Sequence, residues 1–275
     1  MSSAIKLLAL LTAALAASVE AAAPPVLRIC ADPNNMPYSN ELEQGFENEL
    51  ARMIAKDFGM VPSYTWLPQR SAFFDKTLEA GVCDVVLGVP SGMANVRTTR
   101  PYYRSGYVFV SRADRNLDIH SLDDPRLREV QIGVHLLGEG ESDLPPVHAL
   151  ASRGIIRNLV GYNIFGNLEE SNPASDLIKA VARGEVDLAV AWGPIAGYFA
   201  RQSNVPLQVT IIDADPLNPS LPFGFSIGIG VQSKNRELEM RLDTELNRRK
   251  SEIVQLLAKF GIPQSVSPAV NREDH

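Results

Sequence analysis

The sequence predicts an α/β protein of two similar lobes, each a parallel-dominated sheet with helices on both faces. Three observations predict it. Strand patterns alternate with helix patterns, the order that builds parallel sheets through right-handed crossovers. The run Asp84-Val85-Val86-Leu87-Gly88-Val89 is almost wholly apolar, as a strand covered on both faces must be. The stretch Glu79-Ala80-Gly81-Val82-Cys83-Asp84-Val85-Val86 is echoed by Ala182-Arg183-Gly184-Glu185-Val186-Asp187-Leu188-Ala189. Each is a helix end, a Gly stop and an apolar strand with an early Asp, so two related units explain the echo.

The totals agree with this reading. A chain of 275 residues suits one large or two medium domains. With 45% hydrophobic and 21% charged residues it can build a sizeable core. Its formal charge of −6 argues against a nucleic-acid partner. Residues 1–23 read as a signal peptide: Lys6 is the positive start, residues 7–17 are apolar, and Val19-Glu20-Ala21 offers a small-residue cleavage site, with Ala22 and Ala23 as alternatives. The apolar run is too short to span a bilayer, and Pro24 and Pro25 end it. An exported, soluble mature protein with no membrane segment after signal removal is expected.

In chain order, Val26–Ala31 reads as a buried strand that stops in Asp32, Pro33, Asn34, Asn35, Met36, Pro37 and Tyr38. The Asp and Asn side chains bond nearby backbone, and the prolines cannot continue a ladder. Taken alone, this loop reads equally well as a plain turn and as the lip of a site. A helix over 46–58 follows, apolar at Phe46, Leu50, Met53, Ile54 and Phe58 and stopped by Gly59. Then come a strand at 63–66, a helix at 73–80, and strands at 84–89 and 107–111. The charged stretch 112–124 reads as the exit from the first lobe. The second set has strands at 131–134, 158–162, 186–191 and 207–212, with helices at 146–153, 174–183 and 195–202. Residues 213–222 are rich in Pro, Asp and Asn and read as the return crossing. A strand at 225–231 and helices at 236–248 and 251–260 close the chain. Cys30 and Cys83 can pair in an oxidising compartment. Placed near the end of one strand and the start of a parallel neighbour, they stand too far apart to bridge, so two buried thiols are expected.

The chemistry-bearing residues point to binding. There is no Gly-x-Ser-x-Gly elbow, and His120, His135, His148 and His275 are scattered. No spacing suits a metal. Gly138-Glu139-Gly140 lacks the pattern of a phosphate cradle. Polar and aromatic residues instead collect at predicted strand ends. Asp32, Asn34, Asn35 and Tyr38 follow the first strand; Trp66, Gln69 and Arg70 the second; Ser91 the third. Arg97, Arg100, Tyr102 and Tyr103 precede the next. His135 and Trp192 end strands in the second lobe, and Tyr198 follows on a helix. Taken singly, each of these residues reads as ordinary surface or packing. Together, a few polar groups among aromatics at strand carboxyl ends describe a concave ligand site.

These residues carry a resemblance. The stretches Cys30-Ala31-Asp32-Pro33-Asn34-Asn35, Gly45-Phe46-Glu47-Asn48, Tyr64-Thr65-Trp66 with Pro68-Gln69-Arg70, Cys83 to Pro90, and Thr98-Thr99-Arg100-Pro101-Tyr102-Tyr103-Arg104-Ser105 resemble the MxaJ/XoxJ type. So do Ala180 to Asp187 and Trp192-Gly193-Pro194-Ile195-Ala196-Gly197-Tyr198 in the second lobe. These are substrate-binding-like proteins associated with quinoprotein methanol dehydrogenases, within the broad family of polar amino-acid solute-binding proteins. The resemblance implies a periplasmic location and the two-lobe periplasmic binding-protein fold of type II, with lobe one at 24–112 plus 220–275, lobe two at 113–219 and a hinge near 112–116 and 215–222.

It also implies a non-catalytic accessory role in methanol or alcohol oxidation. The expected partner is a PQQ-dependent methanol dehydrogenase, with its cytochrome c system as a second candidate. No cofactor or metal is expected on this chain, and a monomer is expected. Amino-acid binders of this fold grip the ligand carboxylate with an arginine where Gly92 stands here, and the ammonium with an aspartate where Trp192 stands. A zwitterion left unpaired there would be costly. A receptor for a small molecule other than a standard amino acid stays open. An enzyme would need a buried carboxylate acid or base, for which Asp32 is the obvious candidate.

Overall fold

The strand that opens the chain fixes the first half of the sheet. The computed structural model describes residues 23–70, 72–136, 144–164, 172–212 and 214–264. The expected leader, apart from Ala23, and the Gly138-Glu139-Gly140 turn lie outside the described residues. Strands β1 (Val26–Ala31), β2 (Asn34–Asn35) and β3 (Ser39–Asn40) precede helix α1 (Phe46–Asp57). Then come β4 (Val61–Trp66), α2 (Phe73–Lys76), β5 (Val85–Pro90), β6 (Val96–Thr98) and the long β7 (Tyr103–Arg112). The second set is β8 (Ile132–Leu136), α3 (Pro145–Ser152), β9 (Leu159–Asn163), α4 (Asp176–Arg183), β10 (Leu188–Trp192), α5 (Gly193–Gln202) and β11 (Leu207–Ile211). Strand β12 (Gly224–Gln232) and helices α6 (Arg236–Arg248) and α7 (Lys250–Lys259) return to the first set.

The α/β class predicted from sequence is what the chain adopts. The strands run in the order β4-β1-β5-β12-β7-β10-β8-β9, with β6 on β12 and β11 on β7. β1 is parallel to β4 and β5, and β8 is parallel to β9 and β10. The two parallel trios are joined by antiparallel β12 and β7. Each half has its own core. Phe46, Leu50 and Ile54 of α1 pack with Ile29, Leu87, Ile229, Leu242 and Leu257 on one face of the first half. Leu177, Ile178 and Val181 of α4 pack with Val108, Val110 and Ala189 in the second. Each such fully buried aliphatic contributes about 1.5–3 kcal/mol.

The two halves meet within single strands. Tyr103–Gly106 pairs with Gly224–Ile227 of β12, whereas Tyr107–Arg112 pairs with β10 and β11. The partners therefore change at Gly106–Tyr107, and the chain returns through Phe223, whose carbonyl accepts the Tyr107 N–H at 2.9 Å. Composition shifts later, at 112–124, because that is where β7 runs out of its sheet into solvent. The crossing strands approach so closely that a Cβ on Gly106 would lie 2.8 Å from the Phe223 carbonyl oxygen. Only glycine fits there.

One sequence expectation is overturned. Cys30 and Cys83 form a disulfide, with Cα atoms 5.7 Å apart. Cys83 lies two residues ahead of β5, in a turn outside the ladder, so the distance between strand ends does not apply to it. Both side chains enter a small core with Phe73, Leu78 and Val86 on the opposite face of the first half-sheet from α1. Among the described residues no helix is long and apolar enough to cross a membrane.

Candidate functional site

A cavity of about 300 Å³ opens between the two halves. Its first wall is built by the loop after β1. Asp32 Oδ1 accepts the Asn34 N–H at 2.8 Å and Oδ2 accepts the Gln69 N–H at 2.7 Å. One carboxylate thus ties the loop after β1 to the loop after β4, and Asn35 Nδ2 then donates to Gln69 Oε1 at 3.2 Å inside the cavity wall. The Met36–Pro37 bond is cis. The carbonyls of Pro37 and Tyr38 accept the N–H groups of Phe46 and Glu47 at 2.8 and 3.0 Å. They satisfy orphan donors of the first turn of α1 and so fix where that turn points.

That turn delivers Glu47 to the cavity. Glu47 shares the buried face of α1 with Leu50 and Ile54. Tyr102 Oη donates to its Oε1 at 3.4 Å. A Cβ on residue 88 would lie 2.4 Å from that oxygen, and Gly88 has φ +75°. Glycine there supplies both the left-handed backbone and the room for the carboxyl. Burial pushes the Glu47 carboxyl up to about 8, against the smaller opposing pull of the Tyr102 hydrogen bond. Tyr38, Tyr102 and Tyr103 are held well above the usual phenol value, first by burial and then by charge on their neighbours, Glu47 among them.

The second half supplies the facing wall: His135, Leu144, Ile164, Trp192 and Ile195. Trp192 ends β10 and caps α5, and its ring meets Tyr107 at 5.4 Å and Phe225 at 5.7 Å, edge to face. It thereby joins the halves at the cavity floor. His135 Nε2 lies 3.1 Å from the Ala174 carbonyl, so that nitrogen carries the proton and donates. Nδ1 has no partner among the described residues. Burial lowers this imidazole to about 4, keeping it neutral.

The residues singled out from sequence divide accordingly. Asn35, Tyr38, Gln69, Tyr103, His135 and Trp192 line the cavity. Asp32 and Tyr102 stand behind its wall as supports. Asn34 Oδ1 accepts the Asn172 N–H at 3.2 Å, a bond from one half to the other. Arg70 lines an adjoining cavity of about 340 Å³ with Phe73 and Phe74. Trp66 stacks on Tyr64 at 4.6 Å on the outer strand β4, and Tyr198 stacks on Phe260 at 5.9 Å between α5 and the end of α7. The Ser91 N–H donates to the Ser226 carbonyl at 2.8 Å in an exposed turn. Arg97 and Arg100 are drawn away from the cavity, because α6 presents Glu239 and Asp243 to them at 2.9 and 3.4 Å. Sequence reasoning missed Glu47, Tyr107 and Phe225. The signal for Glu47 was a lone acid on the apolar face 47/50/54.

Gly92, where the sequence resemblance expects a carboxylate-gripping arginine in amino-acid binders, is exposed at φ +82° with no atom within 4 Å of a would-be Cβ. Among the described residues no Lys or Arg lines the cavity. No protein-family model matches the chain. Protein MoxJ of Methylorubrum extorquens is 32% identical over 260 residues, covering 92% of this chain and 86% of that protein. This chain belongs to the MoxJ/XoxJ family. The crystal structure of periplasmic binding protein XoxJ from Methylobacterium extorquens AM1 superposes with a TM-score of 0.72 at 32% identity, over 88% of this chain and all of that one. An ancestral cationic amino-acid solute-binding protein shares the fold at 20% identity and a TM-score of 0.64, over 86% of this chain and 95% of that one. MoxJ/XoxJ membership thus goes with the amino-acid-binder fold.

Proposed function

We propose that this chain is a non-catalytic periplasmic accessory protein of methanol oxidation, and that its interlobe cavity engages a PQQ-dependent methanol dehydrogenase during maturation or activation. The observation that carries the reading is Trp192. A bulky indole, braced by Tyr107 and Phe225, occupies the strand end that would hold a ligand ammonium, while Gly92 leaves the carboxylate grip empty. The result is an aromatic cleft of the kind that seats an anchor from another protein. The relatives' names support the assignment to methanol oxidation. The two joining strands, β7 and β12, would act as the hinge between lobes.

The test is co-elution of the exported chain with the apo-dehydrogenase on a sizing column. The wild type should shift the dehydrogenase peak, and Trp192→Ala with Tyr38→Ala should abolish the shift while preserving the far-UV spectrum. An unchanged shift in the double variant would remove the cavity from the account.

A further inference from the structure

Among the described residues the cavity holds an acid with no counter-ion. Glu47 is 7% exposed, and among the described residues its carboxyl receives one long hydrogen bond, from Tyr102. Cations on α1 and the helices packed against it are committed elsewhere, Lys259 to Glu49, Arg249 to Asp57, Arg52 to Glu43 and Arg241 over the Phe58 ring, and Lys56, Arg236 and Lys250 are exposed and do not line the cavity. A buried carboxylate without a partner is costly, so Glu47 either keeps its proton or receives a cation from outside. The surroundings suit the second outcome. Tyr38, Tyr103, Tyr107, Trp192 and Phe225 wall the same cavity, and ring faces attract cations most strongly where water is excluded. A free amino acid is a poor occupant, because among the described residues nothing basic in the lining answers its carboxylate.

We propose that the interlobe cavity takes a compact organic monocation, an alkylammonium or guanidinium head, seated between Glu47 and the aromatic walls. The inference rests on the cavity being the binding site of this protein, and it names the chemistry of the group that enters. Two sources share that chemistry: a free amine, and a Lys or Arg side chain of a protein partner. On binding, the ammonium stays charged, Glu47 gives up its proton to solvent, and the pair replaces a neutral acid. Affinity therefore depends on pH through Glu47. Among the described residues the tyrosines and the histidine of the cavity do not intervene between pH 6 and 8, and burial raises Tyr107 on its wall well above the usual phenol value. Tyr38, Tyr102 and Tyr103 face Glu47 and stay protonated, and His135 on the opposite wall stays neutral.

The experiment is calorimetric titration of the exported chain with n-butylammonium, with 1-butanol as neutral control and with N-acetyl-lysine methylamide as side-chain mimic, at pH 6, 7 and 8. Butylammonium should bind about tenfold more tightly at pH 7 than at pH 6 and about fivefold more tightly again at pH 8, with close to one proton released at pH 6 and about half of one at pH 8. 1-Butanol should bind at least tenfold more weakly at pH 8, without pH dependence. Glu47→Gln should flatten the profile and weaken ammonium binding about tenfold or more at pH 8. Trp192→Leu should weaken it several-fold and keep the profile. A mimic that binds at least as tightly as butylammonium assigns the cation to a protein side chain, and a weaker one assigns it to a free amine. Absent ammonium binding, a flat wild-type profile or equal binding of 1-butanol would overturn the proposal, even where Glu47→Gln fails to fold. Loss of dehydrogenase co-elution bears on the accessory role alone and leaves these titrations standing.

Discussion

Replacing Glu47 by Gln tests the most unusual group in the molecule. The perturbation removes a titration and keeps the shape. In the folded chain burial raises this carboxyl from its ordinary 4.5 to about 8. The native state therefore holds its proton while the unfolded chain ionises between those values. The sign follows: below pH 4.5 both states are protonated and no penalty exists, whereas stability falls as pH rises through the window and the loss is complete above about 8. The slope is about 1.4 kcal/mol per pH unit, and the full loss is on the order of 4–5 kcal/mol. Glutamine shows none of this. Urea unfolding of both proteins at pH 5.5, 6.5 and 7.5 reads the difference directly. The variant should gain on the wild type by about 1.4 kcal/mol per unit of rising pH. A difference that stays constant across the three values would refute the argument that Glu47 is buried without a counter-ion.

Other consequences follow from the same contacts. Changing Cys30 and Cys83 together to Ser frees a loop spanning a sequence separation of 53 residues, and chain entropy puts the loss at roughly 4 kcal/mol, or about 8–16 °C in thermal midpoint. Gly88→Ala adds a methyl 2.4 Å from the Glu47 carboxyl at φ +75° and should cost about 2–4 kcal/mol in urea unfolding. Arg153→Ala leaves Asp215, whose side chain is 1% exposed, without its 2.7 Å partner and should cost about 3–5 kcal/mol. Calorimetric titration with the common amino acids should show no micromolar binding, and a clear isotherm with any of them would refute the loss of both zwitterion grips at Gly92 and Trp192.

Much of the fold was legible because burial leaves a local signature. The α1 stripe Phe46, Leu50, Ile54 and the continuous apolar run of β5 both report faces covered by other elements, and α6 begins and ends as its pattern predicts. Helix α2 is shorter than its pattern, stopping at Lys76, because the chain then turns to bring Leu78 and Cys83 into the core with Phe73. The hairpin of β2 and β3 and the short β6 carry no periodicity at two or three residues each. The site was half legible for a similar reason. Strand-end position marks a rim, and Asn35, Tyr38, Gln69, His135 and Trp192 follow from it. Which way a rim side chain turns depends on what faces it. Arg97 lies on β6, where Gly230 pairs with Thr98, and α6 captures it before it can reach the cavity. Asp32 looked like the acid of the site but is occupied by two backbone N–H groups, and Glu47 takes that place because the Tyr38 carbonyl sets the first turn of α1.

The central claim is that the cavity itself meets the dehydrogenase, and site-specific photo-crosslinking asks this most directly. A photoreactive phenylalanine analogue replaces Leu144, on the cavity wall, or Met240, exposed on α6. Irradiated in the periplasm while methanol dehydrogenase is being made, the chain should crosslink to the dehydrogenase from position 144 and not from position 240. Crosslinking from 240 with none from 144 would contradict the claim.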